Sequence, residues 1–303
     1  MKRLGLVSIV SLCILSACKD QKKVQSGLVG ADSVRVEHEI RQELYGNWVG
    51  DFDVDGELYE QLALNEELPV DFDYNPKINL SIKRITADTV IGQNIVKGNI
   101  RPLLGRMEEN GGAVSFILDE PGDKKSDGRF EIKLKDDTLI GSWVAFDTGV
   151  KIKKRHFKLL KKQFAYNANL MLPSEADLVD WRSSERKEVA DDNGDSTATY
   201  VNDFYRVASD AVFVINASKQ KLTEAQLKNL KKLDLEIIRN TIFARHGYAF
   251  TKIGVRQFFD PVEWYVPISN DVTRELTPIE KDNIRLLQKF EKYAEDNYDY
   301  FGR

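Results

Sequence analysis

The sequence predicts an α+β multidomain protein, in which an antiparallel β-barrel or β-sandwich is followed by a small all-α domain. Two observations support this fold class. Over residues 45–165, short runs rich in Ile, Val and Phe alternate with turn residues, as in antiparallel hairpins. Over residues 218–296, apolar residues recur at helical spacing between capping signals. Between them, we expect residues 166–217 to form an irregular linker with an extended arm.

Length and charge limit the classes of function. The chain has 303 residues, of which 42% are hydrophobic, enough to bury the cores of one or two domains. Charged residues make up 30% of the chain and nearly cancel, leaving a formal net charge of -4. A nucleic-acid-binding domain needs a strongly basic surface, so we expect no nucleic-acid partner.

The first residues have the layout of a secretory signal peptide. Two basic residues precede an apolar run from Leu4 to Leu15, which is too short to span a membrane. The run ends in "LSAC", which resembles the lipobox of bacterial lipoproteins. This resemblance implies a lipoprotein signal peptide at residues 1–17 and a lipid anchor that holds Cys18 at a membrane. The alternative is a plain signal peptide with a chance cysteine.

A polar tether is expected at residues 18–44, because this stretch is poor in large apolar residues. Lys19 follows Cys18, and in Gram-negative lipoproteins such a residue implies sorting to the outer membrane, at its periplasmic face or at the cell surface. Cys13 lies in the segment that is removed. The mature chain is therefore expected to have neither a disulfide nor a cysteine nucleophile.

Seven or eight strands account for the β-domain. The predicted runs are residues 45–56, 78–85, 89–103, 113–120, 128–134, 138–146 and 151–164. Turn residues separate them, among them Asn110-Gly111-Gly112 and Asp136-Asp137. Strands that follow one another in this way predict a meander that closes as a barrel or folds as a sandwich.

The start of the β-domain resembles lipocalin-like barrels. Gly46-Asn47-Trp48 matches their Gly-x-Trp opening, in which the Trp closes one end of the barrel. This resemblance implies a cavity for an apolar or mixed ligand, and we expect Trp48, Phe52 and Trp143 to line it. The alternative is a barrel packed solid by its own side chains.

The last strand run is strongly basic over residues 151–162. Such a run can contact phosphate or an anionic glycan. Alternatively, it is a solvated strand face, with Ile152, Phe157 and either Leu159 or Leu160 packed inward.

An acidic stretch in the linker places Asp191, Asn193 and Asp195 at alternate positions, as at the start of a calcium-binding loop. The glycine and the final glutamate of such a loop are missing from their required positions. We interpret the stretch as an exposed loop and not as a metal site. Residues 205–218, which follow, are expected to form a strand or extended arm.

Capping signals define the helices of the last domain. Thr223 and Asp234 are positioned to cap the first two helices. Gly247 is positioned to end the second helix in a left-handed conformation. Thr277, directly before Pro278, is positioned to cap the last helix.

Three separated stretches of this domain resemble one known family. "LEIIRNTIFARHGYAF", "VRQFFDPVEWYVP" and "LTPIEKDNIRLLQKFE" resemble, in order, the YARHG domain over about residues 218–293. The motif that names the family is "FARHG" at residues 243–247, with Phe in place of Tyr. The resemblance implies a secreted or lipid-anchored protein, joined to other envelope modules and acting at the cell wall. It implies no specific activity.

The candidate binding residues of the helical domain are Arg239, Asn240, Arg245, His246, Trp264 and Tyr265. If they meet on one patch, their guanidinium groups and aromatic faces suit an anionic or sugar ligand. In the alternative, His246 stabilises a helix C-terminus, and an arginine pairs with a carboxylate of a neighbouring helix.

These features favour a lipid-anchored cell-envelope protein with a non-catalytic module that binds peptidoglycan, another wall glycan or an envelope protein. Two alternatives remain: a carrier of an apolar ligand in the β-domain, and a cell-wall hydrolase that uses His246 with Glu263 or Asp260. The sequence has no zinc-protease, nucleophile-elbow or phosphate-loop motif, and only three histidines. We therefore expect no cofactor or metal, and no catalytic residue is identified.

Overall fold

The structure, a computed structural model, describes residues 38–65, 72–190 and 199–295. The predicted signal peptide, its cysteine Cys18 and the predicted acidic loop with Asp191 lie outside the described residues. The end of the predicted tether is described, and it contains a short 3-10 helix, Gln42–Leu44.

Eight antiparallel strands close into a β-barrel, so the barrel form of the prediction is confirmed and the sandwich is wrong. The strands are β1 (Gly46–Val54), β2 (Lys77–Ile85), β3 (Val90–Val96), β4 (Asn99–Asn110), β5 (Ala113–Asp119), β6 (Gly128–Lys135), β7 (Thr138–Ala145) and β8 (Lys154–Lys162). Each strand pairs with the next one along the chain, and β8 pairs with β1. Buried and exposed residues alternate in β6, as expected when one face of a strand meets a core.

Paired turn residues with positive φ angles define the hairpins. Asp136 and Asp137 have φ of 45° and 57° between β6 and β7. Lys97 and Gly98 have φ of 53° and 75° between β3 and β4. Residues 89–103, predicted as one strand, are therefore two strands, because this turn interrupts the run.

The barrel has a closed end and a mouth. At the closed end, Trp48 is 2% exposed and its Nε1 donates to the carbonyl of Leu44 at 2.9 Å. At the mouth, β1 is followed by helix α1 (Gly56–Leu64), which the sequence patterns do not predict and whose first turn is capped by Asp55. Residues 72–76 then lead into β2 along the rim of the mouth.

A two-stranded antiparallel hairpin follows the barrel in sequence. It consists of β9 (Val179–Ala190) and β10 (Thr199–Val207). The segment 166–217, predicted as irregular, thus contains regular structure. Residues 205–218, predicted as a strand or extended arm, end their strand at Val207 and then form helix α2 (Ala211–Val214). Both faces of β10 are largely exposed, so its sequence shows no alternation of apolar and polar residues.

The helical region contains α3 (Glu224–Leu227), α4 (Lys232–Arg245), α5 (Ile253–Phe259) and α6 (Pro278–Glu291). Leu235, Ile238 and Ile242 of α4 lie in its hydrophobic core, as their spacing predicts. Asp234, predicted to precede α4 as its cap, is instead in the first turn. Its Oδ2 accepts the backbone N–H of Lys231 at 2.9 Å and so stabilises the helix start. Within the described ranges, no helix is long and apolar enough to cross a membrane.

The barrel and the helical region pack directly on each other. From β2, Lys77 Nζ donates to the carbonyl of Val262 at 2.6 Å. Asn79 Nδ2 donates to a second main-chain carbonyl of the helical region at 2.7 Å. The β3–β4 turn lies so close that a Cβ atom on Gly98 would come within 2.5 Å of Thr251 Cγ2. These contacts hold the helical region beside the barrel mouth.

Candidate functional site

A cavity of about 500 Å³ opens at the barrel mouth. Its volume lies in the range of small-molecule binding sites. Aromatic, basic and acidic side chains line it: Phe52, Phe130 and Trp143; Lys97, Arg101, Lys124, Lys151 and Arg155; Glu120 and Asp127. The cavity therefore combines an apolar surface with an excess of positive charge.

The aromatic rings form the apolar surface of the cavity. The ring centroid of Phe52 lies 6.0 Å from that of Phe130 and 5.9 Å from that of Trp143. Phe157 packs behind them, 5.8 Å from Phe130. Because each ring is held by the others and by the barrel core, this surface is already in place for an apolar group.

Glu120 is held in the cavity wall by three donors. Its Oε2 accepts from the backbone N–H of Gly128 at 2.7 Å and from Trp143 Nε1 at 3.1 Å. Its Oε1 accepts from Asn94 Nδ2 at 2.8 Å. Burial raises the pKa of Glu120 above its ordinary value, although these hydrogen bonds oppose the shift. The carboxylate thus fixes the orientation of Trp143.

Asp127 organises the part of the rim next to Glu120. It is 1% exposed and accepts from Arg101 Nε at 3.0 Å. Two backbone N–H groups, of Gly122 and Lys124, also donate to it, at 3.0 and 3.2 Å. Arg101 and Asp127 therefore compensate each other, and neither charge is left for a ligand.

Arg155 is a buried cation in the cavity wall, only 6% exposed. Its Nη1 donates to the carbonyls of Phe52 at 2.5 Å and Tyr74 at 3.0 Å, and its Nη2 donates to that of Asp73 at 3.2 Å. Among the described residues, no carboxylate oxygen lies within ion-pair distance of Arg155. Burial lowers its pKa to about 10, because the charged form loses solvation.

The position of Arg155 follows from strand alternation. Phe157 and Leu159 point inward, as predicted, and Arg155 shares their parity. Leu160, the alternative inward residue, is 48% exposed. Ile152, which precedes β8, is half-buried rather than part of the core. The same alternation identifies Arg155 as an inward residue, whereas the basic composition of residues 151–162 favours a solvated face.

The second inner cation, Lys97, shares a carboxylate with the helical region. Lys97 Nζ lies 3.5 Å from Asp73 Oδ2, and that oxygen lies 2.6 Å from Arg256 Nη1 in α5. Arg256 Nη1 is also 3.2 Å from Asp260 Oδ2. Burial raises the pKa of Asp260 to about 6 and lowers that of Lys97. The charges of the mouth are thus connected with those of the helical region.

Two of the three residues predicted to line a cavity do so. Phe52 and Trp143 are in its wall. Trp48 instead packs at the closed end, where Lys161 Nζ lies 5.7 Å from its ring centroid. Trp48 and Phe52 point to the same side of β1 but are four residues apart, roughly 13 Å along a strand. They therefore lie at different levels of the barrel.

The six candidate binding residues of the helical region lie in different places and not on one patch. Arg239 and Asn240 line a groove of about 420 Å³ with the rings of Phe243 and Tyr248. Arg239 is not free there, because its Nε and Nη2 donate to the carboxylate of Glu291 at 2.5 and 3.1 Å.

Arg245 and Trp264 hold the segment that follows the barrel. Arg245 is 1% exposed, and its Nε donates to the carbonyl of Leu170 at 2.7 Å. Its Nη1 donates to Ser218 Oγ at 2.9 Å. Trp264 Nε1 donates to the carbonyl of Met171 at 2.8 Å. These bonds join the chain after β8 to the helical core.

His246 lies in a buried network with the cap of α6. Its Nε2 is 2.9 Å from Glu280 Oε2, and its ring stacks on Tyr166 with centroids 4.3 Å apart. Glu280 also accepts the N–H of Thr277, while Thr277 Oγ1 accepts the N–H of Glu280. The His246 and Glu280 side chains are 4% and 0% exposed. His246 lines a cavity of about 390 Å³ with Tyr166, but its Nε2 is held by Glu280 and its side chain is almost fully buried, which suits the structural alternative.

Two further predicted residues occupy structural positions. Gly247 follows α4 with φ of 72°, and the next residue, Tyr248, donates its N–H to the carbonyl of Phe243 at 3.0 Å. Tyr265 is 1% exposed, and its hydroxyl donates to the carbonyl of Tyr248 at 2.6 Å. Neither presents a side chain to a ligand.

Comparison with known proteins identifies one module. A model of the YARHG domain matches residues 211–292, so the matched region begins at α2 and ends at the close of α6. This domain suggests an extracellular or envelope protein with a binding role. No curated protein and no solved structure matches the chain. Within the described ranges, no group of three His, Cys, Asp or Glu side chains is arranged to hold a metal ion.

Proposed function

We propose that this is a lipid-anchored binding protein of the cell envelope, whose barrel holds a small ligand at its mouth. The observation that carries the proposal is the cavity of about 500 Å³, in which an aromatic surface meets the buried cation Arg155. A barrel packed solid by its side chains would have no such space. The proposal develops the carrier alternative, with a ligand that is partly polar.

The sequence supports the anchor. The apolar run from Leu4 to Leu15 ends in "LSAC", and lipid on Cys18 would hold the barrel at a membrane surface through the polar tether. The presence of a YARHG domain agrees with an envelope location.

Binding explains the site better than catalysis. Glu120 and Asp127, the acids of the cavity wall, are each occupied by hydrogen bonds that hold the wall together. His246, the histidine of the hydrolase alternative, is buried against Glu280. His156 is outside the cavity lining and pairs with Asp55 at 2.7 Å. A general acid or base must reach a substrate, and these groups are committed elsewhere.

A blocking substitution tests the proposal. Residues 19–303, produced without the signal peptide, would be titrated with the uncharged fluorescent probe N-phenyl-1-naphthylamine. Val96 lines the cavity and is half-buried, so Val96→Trp would fill part of it. Ile91 lies on the same strand but is 38% exposed, so Ile91→Trp is the matched control.

We expect saturable probe binding by the native chain and by Ile91→Trp, with strong loss in Val96→Trp. Circular dichroism would show that both variants are folded. Absence of saturable binding to the native chain, or equal binding by the two variants, would contradict the proposal.

A second candidate function is recognition of wall glycan by the helical region. It is favoured by the groove that contains Arg239 and Asn240, because amide groups beside the rings of Phe243 and Tyr248 suit a sugar. Co-sedimentation with isolated peptidoglycan tests it, and the supernatant would be checked for released sugar fragments.

The variant for this test changes two exposed groove residues, Lys252→Ala with Asn270→Ala. Lys281→Ala on the exposed side of α6 is the control. Loss of sedimentation in the groove variant alone would support glycan recognition. Unchanged sedimentation would place any wall contact elsewhere, and released fragments would favour the hydrolase.

A further inference from the structure

The charge of Arg155 is compensated only in part. Its three hydrogen bonds go to main-chain carbonyls of Phe52, Tyr74 and Asp73, whose dipoles solvate a cation but carry no net charge. Buried charges in proteins are normally paired with an opposite charge. Asp73 and Asp53 attract Arg155 from a distance, but within the described residues no carboxylate oxygen lies within ion-pair distance of it, and it lies in the cavity wall. The wall therefore contains a fixed positive charge that an anion can satisfy.

Lys97 adds a second positive charge on the same wall. Its carboxylate partner, Asp73, is closer to Arg256 than to Lys97, at 2.6 Å against 3.5 Å. Arg256 has Asp260 as a second partner at 3.2 Å, whereas Asp73 is the one carboxylate within ion-pair distance of Lys97 among the described residues. The Lys97 side chain is 36% exposed, so its ammonium group can also reach a ligand at the mouth.

The acids of the cavity do not pair with these two cations. Asp127 is paired with Arg101. Glu120 is held in the wall by hydrogen bonds from Gly128, Trp143 and Asn94. Neither side chain is an ion-pair partner of Arg155 or Lys97.

The apolar surface lies next to these cations. The Cζ atom of Arg155 is 5.3 Å from the ring centroid of Phe52, which in turn contacts the rings of Phe130 and Trp143. A ligand whose acidic group contacts Arg155 could therefore place its apolar part directly against the aromatic rings. This arrangement excludes a bare inorganic ion as the best ligand, because the rings would then stay uncovered.

We infer that the cavity binds an organic acid as its anion, with the acidic group at Arg155 and Lys97 and an aromatic or short aliphatic body against Phe52, Phe130 and Trp143. The inference rests on the proposed function, since it names the ligand class of the same cavity. Sulfonates and carboxylates share the required chemistry.

Two fluorescent probes of similar shape test the charge requirement. 8-Anilinonaphthalene-1-sulfonate is an anion, whereas N-phenyl-1-naphthylamine has the same ring systems without the acidic group. We expect the native chain to bind the anion about tenfold more tightly, as one charge-assisted contact would give. Raising the salt concentration should weaken binding of the anionic probe and leave the affinity for the neutral probe unchanged.

Variants that remove one positive charge each show which residues cause the tighter binding of the anionic probe. Lys97→Met and Arg155→Met should each lose most of the tenfold difference while keeping the affinity for the neutral probe. Arg155→Lys, which restores the charge, should recover part of it. Lys158→Met removes an exposed cation of the same strand and should behave as the native chain. If Arg155→Met does not fold, Lys97→Met still decides the question, because its side chain lies at a partly exposed turn.

The outcomes separate this inference from the proposed function. Failure of both probes to bind would contradict the cavity itself. Equal binding of both probes, with no effect of Lys97→Met, would leave the cavity standing and overturn the anion preference. Loss of anion binding in Lys158→Met as well would show that the anion binds the outer barrel surface, which also contradicts the inference.

Discussion

The carboxylate of Asp73 lies 2.6 Å from the guanidinium of Arg256, so a residue at the barrel mouth forms an ion pair with helix α5. Asp73 is 7% and Arg256 5% exposed. The ion pair is therefore sheltered from solvent, and it joins the rim of the barrel mouth to the YARHG domain.

Asp73→Asn should lower stability and strengthen anion binding. Arg256 would keep Asp260 as a partner, so we expect a loss of about 1–3 kcal/mol in the free energy of unfolding. Lys97 would lose its carboxylate, which should tighten 8-anilinonaphthalene-1-sulfonate binding by roughly two- to fivefold. Urea unfolding and probe titration measure the two effects. The control Asp88→Asn, at an exposed turn, should change neither the free energy of unfolding nor the affinity for the anionic probe. Weaker anion binding in Asp73→Asn would argue against the inferred site.

Protonation of Glu280 should make the protein less stable in acid. Burial alone would raise its pKa, but hydrogen bonds from His246 and other donors outweigh burial and lower the pKa from 4.5 to about 2. Because the folded-state pKa is the lower one, the ionised carboxylate contributes stability above pH 4.5 that is lost as the pH falls towards 2. Glu280→Gln should reduce stability at pH 7 by roughly 2–4 kcal/mol.

The variant should also flatten the pH dependence in that window. Urea unfolding of both proteins at several pH values between about 2 and 7 would give the slope of the free energy of unfolding against pH for each. An unchanged slope in Glu280→Gln would mean that this carboxylate is not the group responsible.

Arg245→Met should destabilise the protein without changing ligand binding. Arg245 is buried, and the loss of its bonds to Leu170 and Ser218 leaves two polar groups without this donor. We expect a loss of about 2–4 kcal/mol in the free energy of unfolding. Arg285→Met, at a side chain that is 75% exposed, should change it by less than about 0.5 kcal/mol. Loss of probe or glycan binding in a folded Arg245→Met protein would instead restore it as a ligand contact.

Cys18→Ser should abolish lipid attachment. Metabolic labelling with palmitate in a bacterial host, followed by immunoprecipitation, measures it. Cys13→Ser changes the other cysteine, which lies in the segment expected to be removed, and should still be labelled. Labelling that survives Cys18→Ser would remove the basis for the membrane anchor.

Much of the barrel follows from local patterns. Turn residues such as Asp136 and Asp137 separate runs that alternate along one face, and this period-2 signal predicts strands one at a time. The hairpin β9–β10 gives no such signal, because both of its faces are exposed over β10. In this hairpin Tyr205 pairs with Ser184, and the pattern within either strand does not predict such a contact between positions far apart in sequence.

The site was less predictable, because its chemistry depends on long-range contacts. Phe52 and Trp143 could be assigned to the interior from their strands. Arg155 has the right parity, but only the closed barrel brings it to Asp73, which lies in irregular chain before β2. In the helical region, Arg239 and His246 are one short segment apart in sequence, yet the packing of α4 and α6 turns them towards different surroundings.

The central claim, a ligand cavity at the barrel mouth, is most directly tested by the indole N–H signals of the four tryptophans in a ¹⁵N–¹H spectrum. Trp143 lines the cavity, whereas Trp48 is bonded to Leu44 at the closed end. Each signal would be assigned by a Trp→Phe variant. With N-phenyl-1-naphthylamine added, we predict a saturable shift of the Trp143 signal and an unchanged Trp48 signal. An unchanged Trp143 signal in the presence of bound probe would contradict the account.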